Sequence, residues 1–181
     1  MRIISGTFKS RRINPPANLP VRPTTDKARE ALFNILMTWD FEESDVLDLF
    51  SGTGSVALEF VSRGARNVTA VEQNSQCVQF IAQMEELLGI DNLRIEQTNV
   101  LKYVNRPAIK FDIIFADPPY DMDELHSLPD LIFENSLLND EGLFILEHDA
   151  HNDFSDHPKI TDQRKYGKVH FSFFSANADK K

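Results

Sequence analysis

The fold of this chain is decided by the stretch Asp48-Leu49-Phe50-Ser51-Gly52-Thr53-Gly54-Ser55-Val56-Ala57. Apolar residues over 46–50 predict a buried strand, and the G-x-G-x-x-A spacing is typical of a tight turn into a helix whose N-terminus faces a ligand. Glu72 follows 20 residues after Gly52, at the end of a second predicted strand. The pair predicts a βαβ unit that binds a nucleotide-like cofactor. The simpler alternative is a strand-to-helix turn with a solvated Glu72.

Asp48 distinguishes between two cofactor classes that this spacing allows. In a dinucleotide site the turn holds a pyrophosphate, and a carboxylate four residues before the first glycine would repel it. The same carboxylate attracts an ammonium group. A cofactor with an amino-acid end and a ribose therefore suits Asp48 and Glu72 better than NAD does, and S-adenosylmethionine is such a molecule.

Strand and helix patterns alternate outward from this stretch. Upstream, Thr24-Thr25-Asp26 supplies a helix N-cap, and apolar residues follow at helical spacing as far as Trp39. Downstream, the patterns predict strands over 68–72, 93–97, 111–116 and 143–147, helices over 55–63, 75–88, 102–105 and 122–138 with a break near Pro129, and closing antiparallel strands over 159–166 and 169–174. This order predicts an α/β fold with a mostly parallel sheet and an antiparallel C-terminal hairpin. Ligands of such sheets bind beyond the carboxyl ends of the strands.

A second chemical motif, Asp117-Pro118-Pro119-Tyr120, directly follows the predicted strand 111–116. The exocyclic amine of a nucleobase is a poor nucleophile, because its lone pair is delocalised into the ring. The Asp117 carboxylate and the Pro118 carbonyl can each accept one amine hydrogen, while the prolines hold the backbone rigid. Tyr120 can stack on the base, which must be unpaired or flipped out to reach the pocket. The simpler alternative is that the two prolines merely terminate the strand.

The charge of the chain is unevenly distributed. The net charge is −9, yet residues 1–29 contain seven Lys or Arg and one acid, a balance of +6 that leaves −15 for the remainder. A basic segment on an acidic body is typical of localised phosphate binding, and the RNA-binding candidates are Arg2, Lys9, Arg11, Arg12 and Arg22. Four prolines over 15–23 favour an extended arm or short hairpin that reaches outward. The alternative is a solvated tail.

Other residues carry weaker signals. Asn99 follows the third strand of the sheet and can accept a hydrogen bond from an adenine amine, although a simple turn residue is the alternative. The five histidines show no metal-ligand spacing with Cys77, so no metal is expected. Cys77 and the phenylalanines of the last strand are predicted to be core residues. The sequence lacks a signal peptide and a membrane-length apolar run, which favours the cytoplasm.

With these residues in place, the chain resembles the RsmD family of bacterial 16S ribosomal RNA guanine-N2 methyltransferases over nearly its whole length. The resemblance is carried by Arg2 to Gly6, Arg22 to Asn34, Asp48 to Gly54, Ser62 to Ala65 and Asp117 to Tyr120. The glycine and Asp-Pro-Pro-Tyr motifs are common to many amino-methyltransferases, whereas the N-terminal stretches are specific to the family.

The resemblance implies a class I S-adenosylmethionine-dependent methyltransferase (Rossmann-like) fold with a seven-stranded sheet. It implies that Asp48, Gly52 and Gly54 hold the methionine end, Glu72 the ribose and Asn99 the adenine, although related enzymes commonly have Asp at position 99. Asp117, Pro118 and Tyr120 would hold the target guanine. The expected partner is 16S rRNA, in an assembled small-subunit particle, and the expected state is a monomer without a metal or a membrane contact.

The domain prediction that follows is a basic arm or hairpin over 1–23, a methyltransferase domain over 24–176 and a frayed tail over 177–181. Two other functions are compatible with the motifs. The first is adenine-N6 methylation of DNA or RNA, because the tetrapeptide does not select the base. The second is a non-catalytic RNA-binding assembly factor that retains the fold. An NAD oxidoreductase is opposed by Asp48.

Overall fold

The sheet has the strand order β3-β2-β1-β4-β5-β7-β6 in a computed structural model that describes residues 1–17, 19, 25–106 and 109–178. The strands are β1 (Asp45–Leu49), β2 (Asn67–Glu72), β3 (Leu93–Gln97), β4 (Phe111–Ala116), β5 (Leu138–His148), β6 (Ile160–Tyr166) and β7 (Val169–Phe174). The first five are parallel, while β7 pairs antiparallel with both β5 and β6. The seven-stranded sheet with an antiparallel C-terminal hairpin is therefore confirmed.

In the described part of the chain, five α-helices cover the two faces of the sheet: α1 (Asp26–Ile35), α2 (Ser55–Ser62), α3 (Ser75–Leu88), α4 (Val100–Val104) and α5 (Leu128–Glu134). One face packs against α1, α2 and α3, and the other against α4 and α5. The central strands β1 and β4 are almost entirely buried, as expected for parallel strands covered on both sides. Among the described residues, no helix is long and apolar enough to cross a membrane.

The caps explain why several helices begin and end where the sequence predicts. Thr25 accepts a hydrogen bond from the Ala28 amide at 3.2 Å and starts α1. Asn74 caps α3 by the same chemistry, and Gly89 ends it in a left-handed conformation with φ of 66°. The predicted core positions Cys77 and Phe171 are fully buried.

Three predicted ranges are wrong. The region 122–138 is not one helix: α5 occupies only Leu128–Glu134, and Ser136 adopts φ of 53°, which ends the helix. The strand predicted over 143–147 therefore begins earlier, as β5 starts at Leu138. The predicted break near Pro129 is present, because a short 3-10 helix, Leu125–Ser127, ends just before α5, and Pro129 lies in the first turn of α5, where proline is well tolerated. The helix predicted over 102–105 begins earlier, because Asn99 caps α4.

The N-terminal segment was predicted to reach outward, but in the structure it packs against the core. Residues 1–13 fold into a short hairpin, here called the N-terminal hairpin, in which the Ile3 amide donates to the Arg11 carbonyl at 2.9 Å. The side chains of Ile3 and Ile13 are fully buried in the core beside α1 and α2. The remaining part of the predicted arm, including Arg22, lies largely outside the described residues.

A buried carboxylate fastens the N-terminal hairpin to α2. Glu59, fully buried in the middle of α2, accepts the amides of Ile4 and Ser5 at 2.8 and 3.0 Å. At the end of α2, the Thr7 amide donates to the Ser62 carbonyl at 2.7 Å. Gly6 fits here because a Cβ at this position would lie 1.7 Å from the Ser62 carbonyl oxygen.

Candidate active site

The glycine turn joins β1 to α2 through left-handed backbone conformations at Phe50, Gly52 and Gly54. The Gly54 amide donates to the Ser51 carbonyl at 2.7 Å and closes the turn. A Cβ on Gly54 would lie 2.8 Å from a side-chain carbon of Ile81, so the close packing of α3 also requires glycine there. The turn thus places the N-terminus of α2 at the carboxyl edge of the sheet, as the spacing predicted.

Asp48 lies beneath this turn and is only 1% exposed. Its Oδ2 accepts the Ala57 amide at 3.1 Å, within the first turn of α2. Burial raises the pKa of Asp48 to about 8, and the negative charges of Asp117 and Glu72 add to that effect. A cation placed beside Asp48 would therefore replace lost solvation and restore the charged carboxylate.

Glu72 ends β2 and turns its carboxylate back toward the glycine turn. Its two oxygens accept the amides of Gly52 at 2.8 Å and Asn74 at 2.7 Å. An ionised carboxylate has about four acceptor positions, so capacity remains for two hydroxyl groups. The spacing of 20 residues between Gly52 and Glu72 thus corresponds to direct contact in the fold.

Asn99 lies at the carboxyl end of β3 and is partly exposed. Its side-chain oxygen accepts the Lys102 amide at 3.3 Å, and its side-chain nitrogen donates to Gln73 at 3.2 Å. The first contact is the N-cap of α4, so Asn99 has a structural role beyond that of a simple turn residue. The oxygen retains a second lone pair for a ligand.

The Asp117-Pro118-Pro119-Tyr120 segment leaves β4 next to the glycine turn, because β1 and β4 are neighbours. Pro118 is buried, and the Pro119 carbonyl accepts the Met122 amide at 3.1 Å, which fixes the backbone beyond the prolines. The Asn152 side chain donates to the Tyr120 carbonyl at 3.3 Å. The segment is therefore a rigid turn at the sheet edge.

One residue of this site was missed from the sequence. Glu147, near the end of β5, is 4% exposed and accepts a hydrogen bond from the Tyr120 hydroxyl at 3.0 Å. Burial and the charge of Asp117 raise the pKa of Glu147 to about 8, while the Tyr120 bond opposes the shift. Burial also raises the pKa of Tyr120, which therefore keeps its proton as a donor. The sequence does contain a signal for this residue, because Glu147 is an acid at the carboxyl end of the strand predicted over 143–147, and ligands of such sheets bind at those ends.

The basic residues of the N-terminal hairpin lie on the surface. Arg2, Lys9, Arg11 and Arg12 are exposed, and Arg2 pairs with Arg12 in an antiparallel bridge. Arg22 lies outside the described residues.

Arg29 belongs to the same charge-rich stretch but is fully buried. It donates to the Arg2 carbonyl at 2.6 Å and to the Ser55 carbonyl at 3.4 Å, and it pairs with Asp26 at 2.7 Å. Arg29 thus ties the hairpin to the start of α2 and contributes no exposed charge.

Comparison with known proteins places this architecture among methyltransferases. The family model described as "Conserved hypothetical protein 95" matches residues 1–175. The chain is 31% identical to "Ribosomal RNA small subunit methyltransferase D" of Buchnera aphidicola over 178 residues, covering 96% of this chain and 91% of that protein.

Solved structures agree with the sequence comparison. The Escherichia coli structure named "Putative methyltransferase yhhF" is 28% identical, has a TM-score of 0.86 and covers 96% of each chain. A ribosomal protein L11 methylase from Lactobacillus delbrueckii, at 21% identity, has a TM-score of 0.68 over 94% of this chain and 89% of that one, and shares the fold.

Proposed function

The chain belongs to the family described as Conserved hypothetical protein 95, the RsmD family, and we propose that it methylates the exocyclic N2 amine of a guanine in small-subunit ribosomal RNA, with S-adenosylmethionine as the donor. One observation carries this function. A rigid Asp117-Pro118 segment lies beside a buried acid, Asp48, whose ionisation a cationic cofactor would restore.

The residues around the glycine turn fit this cofactor. The buried Asp48 suits the ammonium of the methionine end, and the remaining acceptor positions of Glu72 suit two ribose hydroxyls. Asn99 keeps an acceptor for the adenine amine. When bound, S-adenosylmethionine supplies the electrophilic methyl group.

The protein's own contribution to the reaction is to hold the target amine. In the proposed site, Asp117 and the Pro118 carbonyl each accept one amine hydrogen, which favours a pyramidal nitrogen with an available lone pair. The rigid backbone fixes both acceptors, and the Tyr120 ring stacks on the base. Asp117 also stabilises the positive charge that develops on the nitrogen, and its carboxylate is positioned to accept the proton that the methylated amine loses.

The N-terminal hairpin supplies the contact with RNA phosphates in this proposal. Its exposed cations lie on a segment that is hydrogen-bonded to α2. RNA bound to these cations would therefore be held in a fixed position relative to α2, the helix that begins at the glycine turn. We propose that the acceptor is presented in an assembled small-subunit particle and that one copy of the chain acts alone. Methylation assays on naked 16S rRNA and on isolated particles test the first statement, and a measurement of the molecular mass of the protein in solution tests the second.

Replacement of Asp117 tests the amine clamp. Asp117→Ala is expected to leave the affinity for S-adenosylmethionine within a few-fold in calorimetry and to lower turnover by at least about 100-fold, as expected for loss of a positioned charged group. Asp121→Ala removes an exposed acid four residues away and serves as the matched control. Equal losses of cofactor affinity and turnover in Asp117→Ala would contradict the proposed role.

Mass analysis of the nucleosides in the product identifies the base. N2-methylguanosine is expected, and N6-methyladenosine in its place would contradict the guanine assignment. Absence of S-adenosylmethionine binding at millimolar concentration would favour the non-catalytic assembly factor.

The hairpin is tested by salt dependence. Arg11→Ala combined with Arg12→Ala is expected to reduce the slope of log affinity against log salt by roughly 1.4 to 1.8, which corresponds to two lost phosphate contacts. Lys165→Ala combined with Lys168→Ala removes two exposed cations from the C-terminal hairpin and is the control. An unchanged slope in the Arg11 and Arg12 variant would contradict RNA binding by these residues.

A further inference from the structure

Glu147 has an incomplete hydrogen-bond environment for a buried acid. It follows Leu146, which pairs with Ala116 of β4, so Glu147 and Asp117 come next on two neighbouring parallel strands. One of its oxygens, Oε1, accepts the Tyr120 hydroxyl at 3.0 Å. The other, Oε2, is buried and has no hydrogen-bond partner among the described residues. An unpaired buried carboxylate oxygen is costly if the group is charged.

The groups that face Glu147 disfavour a second negative charge. Asp117 approaches from the end of β4, and the Tyr120 hydroxyl approaches from the turn beyond it. Asp149, two residues after Glu147, places a further negative charge near Tyr120. On the β7 side, the residue paired with Glu147 is the apolar Phe171. Burial first, and Asp117 second, raise the pKa of Glu147, which favours the neutral acid at neutral pH.

We propose that Glu147 is a positioning residue of the methyl-transfer site, which acts as a neutral acid to hold the Tyr120 hydroxyl and leaves the negative charge of the amine clamp on Asp117. This inference rests on the proposed function. A tyrosine side chain can rotate about its Cα–Cβ bond, and the hydrogen bond to Glu147 holds the Tyr120 ring in one orientation, which in the proposed site is the one that stacks on the base. A second carboxylate beside Asp117 would compete with it for the amine hydrogens and for the proton that the amine loses.

Two substitutions at Glu147 test whether the side chain acts as a neutral hydrogen-bond acceptor or through a negative charge. Glu147→Gln retains an oxygen acceptor for the Tyr120 hydroxyl and has no charge, whereas Glu147→Ala removes the acceptor. With saturating S-adenosylmethionine at pH 7, we expect kcat within about twofold of wild type for Glu147→Gln and about fivefold lower for Glu147→Ala, since a hydrogen bond contributes roughly 1 kcal/mol. The KM for S-adenosylmethionine is expected to remain unchanged in both.

The pH profile distinguishes positioning from a general loss of structure. Wild-type kcat is expected to fall about tenfold per pH unit above pH 8, as Glu147 ionises next to Asp117. Glu147→Gln is expected to remove this fall. Saturating cofactor is needed because Asp48 titrates in the same range in the free protein.

Tyr120→Phe provides an independent check, because it removes the hydroxyl and keeps the ring. It is expected to lower kcat as much as Glu147→Ala does, and the double variant is expected to be no worse than either single one. The inference would be overturned if the losses in kcat were additive in the double variant. It would also be overturned if Glu147→Gln lowered kcat as much as Glu147→Ala and retained the alkaline fall. A wild-type protein that methylates no RNA would instead overturn the proposed function, whereas an active wild type with unaffected Glu147 variants would overturn only this inference.

Discussion

Asp48→Asn should make the protein more stable and its cofactor site weaker. The folded protein retains a proton on Asp48 up to about pH 8, while the unfolded chain releases it near 3.8. Between these values unfolding releases a proton, so the stability contributed by this group falls as pH rises. Each pH unit costs about 1.4 kcal/mol, which gives about 4 kcal/mol between roughly pH 4 and pH 7.

Asparagine removes this pH dependence because its side chain does not titrate, and its oxygen can still accept the Ala57 amide. The difference in free energy of unfolding between Asp48→Asn and wild type should therefore grow by about 4 kcal/mol over that pH range in urea titrations. Asp45→Asn, at the start of the same strand, is the control. The bond from Arg66 holds the pKa of Asp45 below its usual value, so that residue stabilises the fold above its unfolded pKa and its replacement should be destabilising at pH 7.

Cofactor binding reports on the same proton. At pH 7 most wild-type molecules carry a protonated Asp48, and pairing with an ammonium group requires the carboxylate. Binding of S-adenosylmethionine should release close to one proton, measured by calorimetry in two buffers with different ionisation enthalpies. Asp48→Asn should release none and bind about 10- to 150-fold more weakly, the cost of one charge-assisted hydrogen bond. Wild-type binding without proton release, or a stability difference independent of pH, would refute this reasoning.

Substitutions at three further positions test individual contacts. Gly6→Ala places a Cβ 1.7 Å from the Ser62 carbonyl and should lower the free energy of unfolding by at least about 1–3 kcal/mol, measured against Gly167→Ala, which has a similar positive φ but open space around it. Asn99→Ala should cost about 1 kcal/mol by uncapping α4, whereas Asn99→Asp should retain the cap and its stability. Glu72→Gln should weaken S-adenosylmethionine binding at least about tenfold, because an amide NH₂ would face the Gly52 or Asn74 amide.

The parts of the fold that the sequence predicted depend on local chemistry. The turn at Gly52 and Gly54 and the cap at Thr25 each involve residues close in sequence, and the structure has them as expected. The contact of Glu72 with Gly52 could also be predicted from the sequence, because a fixed spacing in a βαβ unit determines which residues meet at the strand ends.

The parts that were missed depend on contacts between distant residues. Glu59 resembles any surface glutamate of a helix, yet it is fully buried because it binds amides 54 and 55 residues away. Arg29 contributes to the basic charge predicted for residues 1–29, but the structure buries it between the N-terminal hairpin and α2. Such partners leave no periodic pattern, which is why the docking of the hairpin was not predicted.

The distribution of acids explains how an acidic protein can act on RNA in the proposed reaction. Four neighbouring strands, in the order β2-β1-β4-β5, deliver Glu72, Asp48, Asp117 and Glu147 to one edge of the sheet. This concentration of acids would repel phosphates and attract a cationic cofactor. Burial first, and the neighbouring acids second, raise the pKa of its two most buried members, Asp48 and Glu147. In the proposed reaction, an RNA strand would therefore bind with its base toward the acids and its backbone toward the exposed cations of the N-terminal hairpin, so the charge separation that suits the cofactor would also orient the substrate.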